Sequence, residues 1–252
     1  MRNDRLIVAL DLPDGESALR MVDMLRDRVG IYKIGMELFY SEGAWLISEL
    51  ASRGVDVFLD LKFHDIPNTV GSAVRQLSRL RPAMMTVHAP GGSAMMSRAV
   101  KAAEETGLSL GFRPMILAIT LLTSIDERAL RGDLMVRESP TDYVLAMARL
   151  SQAAGVDGVV ASPHEARMIR ECCGEGFRIV TPGIRPTWFG HGDQRRVATP
   201  YEAILAGADH IVVGRPVTQS DDPVGAVSMI VDEIDRASEA RGTSRRSGSD
   251  AR

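Results

Sequence analysis

Aspartate and lysine alternate at the end of an apolar run in Phe58-Leu59-Asp60-Leu61-Lys62-Phe63-His64-Asp65-Ile66-Pro67-Asn68-Thr69. Solvated charges are not expected there, so these groups must answer one another or serve a reaction. The use of basic residues sharpens the point. Of 30 basic side chains only Lys33, Lys62 and Lys101 are lysine, and all the others are arginine. Arginine holds its proton near neutral pH, whereas a desolvated lysine can release one. Lysine kept at Lys33 and Lys62, both in apolar, strand-like settings, therefore points to a proton-donating site. A structural ion pair at a strand end would be written with the same residues, and only the surrounding elements separate the two.

Short β-rich apolar runs alternate with amphipathic segments. The pattern predicts strands over 6–12, 31–35, 55–63, 84–89, 112–120, 158–162, 178–184 and 210–215. It predicts helices near 16–28, 41–53, 67–80, 93–106, 141–154, 164–173, 200–206 and 222–237. Ser93, Ser139-Pro140 and Thr199-Pro200 are of the types that open helices, and Gly30, Gly54, Gly107, Gly155 and Gly207 of the type that closes them. This order of units predicts an α/β fold, a (β/α)8 TIM barrel of eight parallel strands with surrounding helices. An open doubly wound sheet is the alternative. Against it, the turn after the first run reads Asp11-Leu12-Pro13-Asp14-Gly15 and not Gly-x-Gly-x-x-Gly. One catalytic barrel is expected over 1–237. An Arg-, Ser- and Gly-rich tail over 238–252 is expected to be frayed or disordered.

In such a barrel, catalytic groups sit at the C-terminal ends of the strands. The expected ends carry Asp11, Lys33, Asp60 with Lys62, His88, Thr120, Ser162 and Gly214-Arg215. Side chains at i and i+2 share a face of a strand. Phe58, Asp60 and Lys62 should thus face the barrel axis, and Val57, Leu59 and Leu61 the helices. Lys33 shares its face with Ile31 and Gly35. If Asp11, Lys33, Asp60 and Lys62 converge, each charge gains an opposite neighbour. One such pair at ~4 Å and an effective dielectric of about 20 attracts by roughly 4 kcal/mol.

The loops after strands seven and eight often bind phosphate in this architecture. Here they read Thr181-Pro182-Gly183-Ile184-Arg185 and Val213-Gly214-Arg215-Pro216. Gly214 lets backbone N–H groups approach an anion, and Arg215 can fork onto phosphate oxygens. Arg185 and Gln194 are expected to close over the same group, and 186–196 has the composition of a mobile lid.

Composition limits the other classes. Apolar residues are 45% and charged residues 25%, as in soluble globular proteins, and the net charge of −3 argues against a nucleic-acid surface. No apolar segment is long enough for a signal peptide or a membrane span. The adjacent Cys172 and Cys173 suit neither a disulfide framework nor a zinc site, so a reducing cytoplasm is expected. His64, His88, His164, His191 and His210 lack metal-ligand spacing, and neither metal nor cofactor is expected.

These residues resemble the orotidine 5′-monophosphate decarboxylase family over nearly the whole barrel, from Leu6-Ile7-Val8-Ala9-Leu10-Asp11 to Ile211-Val212-Val213-Gly214-Arg215. The most specific piece is Asp60-x-Lys62-x-x-Asp65-Ile66-Pro67-x-Thr69. Tyr32-Lys33-Ile34-Gly35, Val87-His88-Ala89, Leu121-Leu122-Thr123-Ser124 and Thr181-Pro182-Gly183-Ile184-Arg185 support it. The resemblance implies a cofactor-free decarboxylation of orotidine 5′-monophosphate to UMP and CO2. In it Lys62 would protonate C6, Asp60 would lie beside the departing carboxylate, and Lys33 with Asp11 would balance charge and bind ribose. Thr123 would hold the pyrimidine edge, and Pro182, Arg185, Gln194, Gly214 and Arg215 would line the phosphate end. It also implies a homodimer in which Asp65, Ile66 and Thr69 complete the partner's site.

Two alternatives stand beside this reading. A Mg2+-dependent 3-keto-gulonate-phosphate decarboxylase or hexulose-phosphate synthase of the same superfamily shares the Asp-x-Lys-x-x-Asp pattern. Those enzymes carry an acidic residue where this chain has Lys33, which disfavours a divalent cation. The other alternative is a noncatalytic nucleotide-binding barrel.

Overall fold

A computed structural model describes residues 2–189 and 197–249, those after 242 by backbone alone. The strands are β1 (Asn3–Ala9), β2 (Val29–Gly35), β3 (Asp56–Phe63), β4 (Met84–His88), β5 (Met115–Ile119), β6 (Gly158–Val160), β7 (Arg178–Thr181) and β8 (His210–Val213). They pair in parallel in chain order, and β8 pairs back onto β1 through Leu6↔Ile211 and Val8↔Val213, which closes the barrel. Around it run α1 (Gly15–Leu25), α2 (Met36–Ser52), α3 (Pro67–Ser78), α4 (Gly92–Leu110), α5 (Glu127–Gly132), α6 (Pro140–Ala153), α7 (Pro163–Cys173), α8 (Pro200–Ala206), α9 (Arg215–Thr218) and α10 (Pro223–Ser249).

Strand alternation divides the apolar residues into two cores. Val8, Ile34, Val57, Leu59 and Leu61 face outward and pack with the helices. Ile7, Ala9, Ile31, Phe58, Met84, Leu117, Val180 and Val212 fill the barrel axis. Burying each large apolar side chain contributes about 1.5–3 kcal/mol. The next inward position on β2 is Lys33, on β3 Asp60 and on β4 Thr86. Polar groups at the mouth thus stand on an apolar plug.

Several boundaries differ from the sequence pattern. β1 ends at Ala9, which leaves Asp11 in the following loop. β8 ends at Val213, and Arg215 opens α9 instead of closing the strand. α2 starts at Met36, directly after β2, and bends at Gly43, whose φ of 65° interrupts the helical periodicity. α4 continues through Gly107 to Leu110 and is closed by Gly111 at φ 63°, and Ser93 does not cap it. Ser139 and Thr199 do act as caps. The Ser139 hydroxyl accepts from Asp142 N, and Thr199 forms a reciprocal capping box with Glu202. The short helices α5 and α9 had no counterpart in the pattern. Helical backbone continues to Ser249, past the expected boundary at 237. Arg241 of that stretch lies 3.5 Å from the Ala208 carbonyl oxygen and 3.4 Å from the Glu175 carboxylate. Among the described residues no helix is long and apolar enough to cross a membrane.

Candidate active site

The site begins with a break in strand pairing. β3 and β4 pair at Phe58↔Met84 and Leu59↔Met85, lose register, and resume at Phe63↔Val87. The surplus β3 residues bulge at the mouth. Lys62 lies in this bulge at φ 55°, a left-handed conformation that costs a non-glycine residue about 1–3 kcal/mol. Its Nζ donates to Asp60 Oδ2 at 2.7 Å. On the neighbouring strand, Lys33 Nζ donates to Asp11 Oδ1 at 2.9 Å. Gly35 makes room for that contact, since a Cβ there would stand 3.2 Å from Lys33 Nζ and 3.3 Å from Asp11 Oδ1. The expected charges converge, but as two pairs: among the described residues no ion pair joins one to the other. Lys33, Asp60 and Lys62 are mostly shielded from solvent, whereas Asp11 is 61% exposed.

Two adjoining cavities give the charges a setting. The first, about 180 Å³, is lined by Lys33, Asp60, Lys62 and Thr123 together with apolar groups that include Phe58 and Leu121. The second, about 170 Å³, is lined by Asp11, Gly183, Arg185, Gly214 and Arg215. Lys33, Pro182 and Val212 border both. Arg185 is 5% exposed, and its guanidinium lies 5.0 Å from the centre of the Phe189 ring. The first cavity suits a flat, weakly polar ring whose reacting edge meets an ammonium and a carboxylate. The second suits an anion. A molecule filling both is a ring joined through a polar linker to a phosphate-like group.

Asp65, Ile66 and Thr69 are exposed and line neither cavity of this chain. Asp65 Oδ1 accepts from Ile66 N at 2.6 Å. Gln194 and most of the expected lid, from 190 to 196, lie outside the described residues. One polar contact escaped the sequence reading. Thr86 is fully buried, and its Oγ1 accepts from Lys62 N and donates to Asp60 Oδ1, each at 2.9 Å. The available signal was its spacing, two residues from both Met84 and His88. His88, at the end of β4, stacks at a tilt on His64 with ring centres 5.5 Å apart. Burial first, then the neighbouring His64 and Lys62, lower the pKa of His88 below the ordinary histidine value. Among the described residues no group of three His, Cys, Asp or Glu side chains is placed to hold a metal ion.

A closed parallel barrel whose mouth joins a Lys–Asp pair to an arginine-bordered anion pocket defines an enzyme acting on a small phosphorylated molecule. Known proteins narrow that class. The model for the orotidine 5′-phosphate decarboxylase / HUMPS family matches residues 4–230. The orotidine 5′-phosphate decarboxylase of Moorella thermoacetica is 48% identical over 233 residues, 92% of this chain and 92% of that protein. The one from Heliobacterium modesticaldum is 48% identical over 232 residues, 92% of this chain and 96% of that protein. The crystal structure of orotidine 5′-phosphate decarboxylase from Lactobacillus acidophilus superposes with a TM-score of 0.82 at 39% identity, over 92% of this chain and 99% of that one. The chain belongs to the orotidine 5′-phosphate decarboxylase / HUMPS family.

Proposed function

We propose that this protein is an orotidine 5′-phosphate decarboxylase, converting orotidine 5′-phosphate to UMP and CO2 in pyrimidine biosynthesis. The observation that carries the reading is the Lys62–Asp60 contact of 2.7 Å in a largely apolar cavity that opens onto the arginine-bordered one. In this reading a pyrimidine occupies the first space and a 5′-phosphate the second, with Lys33, which borders both, and its partner Asp11 at the level of the ribose.

The chemistry follows from what must be stabilised. Breaking the bond between C6 and its carboxylate leaves an electron pair in the ring plane, outside the π system. Stabilisation must then come from charge placed beside C6 and must grow toward the transition state. The Lys62 ammonium attracts the pair as it forms. Its proton then moves from Nζ to C6, leaving a neutral amine, while the carboxylate departs as CO2. Asp60 places like charge near the substrate carboxylate, and that repulsion is relieved as neutral CO2 leaves. It also aims the ammonium. Thr123 holds the pyrimidine edge, and Pro182, Arg185, Gly214 and Arg215 line the phosphate end. Binding energy from the phosphate, remote from C6, aligns the reacting groups.

Lys33 favours this reaction over the Mg2+-dependent sugar-phosphate chemistry of the superfamily. An ammonium 2.9 Å from Asp11 stands where those enzymes carry an acidic residue. Loss of orotidine 5′-phosphate absorbance in excess EDTA tests the choice. Full turnover supports decarboxylation of the nucleotide, and a Mg2+ requirement would overturn it.

A second copy of the chain completes the site in this reading. Segment 65–69 is exposed beside the mouth, with Ile66 at 66%, which favours a homodimer in which Asp65, Ile66 and Thr69 enter the partner's cavity. Lys62→Ala and Asp65→Ala chains, each inactive, should regain up to about a quarter of wild-type activity when mixed and allowed to exchange. No recovery despite demonstrated exchange would place Asp65 in its own chain's site. The two free cysteines suit a reducing cytoplasm, and the barrel over 1–237 is the expected catalytic unit.

A further inference from the structure

We propose that Thr86 is a positioning residue for the decarboxylation, its hydroxyl fixing both the carboxylate of Asp60 and the strained backbone that presents Lys62. The inference rests on the reading of Lys62 as the proton donor. Its starting point is the pairing break, where four residue steps on β3, Leu59 to Phe63, face two on β4, Met85 to Val87. The surplus takes Lys62 N–H out of the regular ladder. A buried donor left without a partner costs about 1–3 kcal/mol. Thr86 Oγ1 accepts that N–H at 2.9 Å, inside the barrel and without solvent access.

The direction of the second bond is then forced. A hydroxyl carries a single proton, and the Lys62 amide can only donate. The Thr86 proton must go to Asp60 Oδ1, also at 2.9 Å, so the hydroxyl favours the ionised carboxylate. Asp60 Oδ2 in turn receives Lys62 Nζ at 2.7 Å. Thr86 thereby holds Lys62 at both ends, through its own backbone and through the partner of its ammonium. β-Branching restricts the Thr86 side chain at χ1, which fixes where both bonds point. Lys62 at φ 55° needs such support, because nothing in its own conformational preference holds it there.

The test compares Thr86→Val, which keeps the shape and removes both bonds, with Thr86→Ser, which keeps the hydroxyl. Wild type and Lys62→Ala are run alongside in the full-length protein. Thr86→Val is expected to lower kcat about 100-fold, as misplacement of reacting groups does. KM and the Kd for UMP should change by less than about threefold, since the phosphate and ring contacts are untouched. Thr86→Ser should restore kcat to within about tenfold of wild type. Unchanged kcat in Thr86→Val overturns the proposal. A parallel loss of UMP binding, or a folded Thr86→Ser no better than Thr86→Val, overturns it as well. Thr86→Ala supplies the same comparison should the valine variant not fold. An inactive wild type, or an active Lys62→Ala, would instead condemn the functional reading beneath it.

Discussion

The two ends of the barrel both carry ion pairs and use them differently. At the N-terminal end, the Arg170 guanidinium donates to Asp209 Oδ2 at 2.6 Å and to the carbonyl oxygens of Gly174, Phe177 and Gly207 at 2.7, 2.8 and 3.0 Å. Asp209 Oδ2 also accepts Ile179 N at 2.8 Å. Arg113 repeats the device with Asp157 at 2.8 Å, whose other oxygen accepts Ile116 N at 2.7 Å. In each case an arginine locks the aspartate before one strand to the backbone of the strand beside it. At the C-terminal end Lys33 and Lys62 are each bonded to one carboxylate and both line the first cavity. A planar fork such as that of Arg170, with both terminal nitrogens engaged, gives rigidity. A compact ammonium with donors to spare, able to give up a proton, gives reactivity.

The largest expected effect falls at the mouth. Lys62→Ala should cut kcat by about 10⁴-fold or more while UMP binding stays measurable. Lys62→Arg keeps the charge without a releasable proton, so it should stay within about tenfold of the alanine variant. An active arginine variant would break the contrast between the two ends. The floor should respond in stability instead. Arg170→Ala leaves Asp209 and three carbonyl groups short of a donor and should cost about 3–5 kcal/mol in urea unfolding. The folded remainder should keep its kcat, and a large fall there would show that floor and mouth are coupled.

Smaller effects sharpen the picture. Arg215→Ala should lower kcat/KM for the nucleotide about 10–100-fold, yet leave turnover of orotidine, which has no phosphate, unchanged. An equal loss on both substrates would remove Arg215 from the phosphate pocket. The mildest effect concerns His210 at the floor, whose Nδ1 lies 2.8 Å from the Asp4 carbonyl oxygen. Burial lowers its pKa below the ordinary histidine value, so the folded protein binds a proton less readily than the unfolded chain. The associated stability is present above that ordinary value and is lost as pH falls below it toward the lowered one. Tm should therefore drop between about pH 7 and 5. His210→Gln should flatten part of the slope, and an unchanged slope would exonerate His210.

Much of this was legible in the sequence because strand alternation is a local property. Phe58, Asp60 and Lys62 share a face by spacing alone, and Phe58 does lie in the axial core with Asp60 and Lys62 above it. Arg185, Gly214 and Arg215 gather because consecutive barrel loops are neighbours. What depends on pairing register was not legible. Thr86 reads as one polar residue in an apolar strand, and its importance appears only when β3 slips against β4. The division of the charges into two pairs also depends on where β1 ends, and Asp11 lies beyond it in a loop. The helix α9 is too short for a periodic pattern, so Arg215 read as the end of a strand.

The apolar plug under the mouth governs how the proposed catalyst resets. In the proposed mechanism every turnover strips one proton from Lys62, and Phe58, Leu117, Val180 and Val212 fill the axis below it. Among the described residues this axial cluster is apolar. The replacement proton has to come in from solvent by the same opening through which nucleotide enters and gas escapes. On that mechanism recharging, loading and release share the doorway that the described residues form, so an inhibitor seated there would block regeneration of the acid as well as access of the substrate.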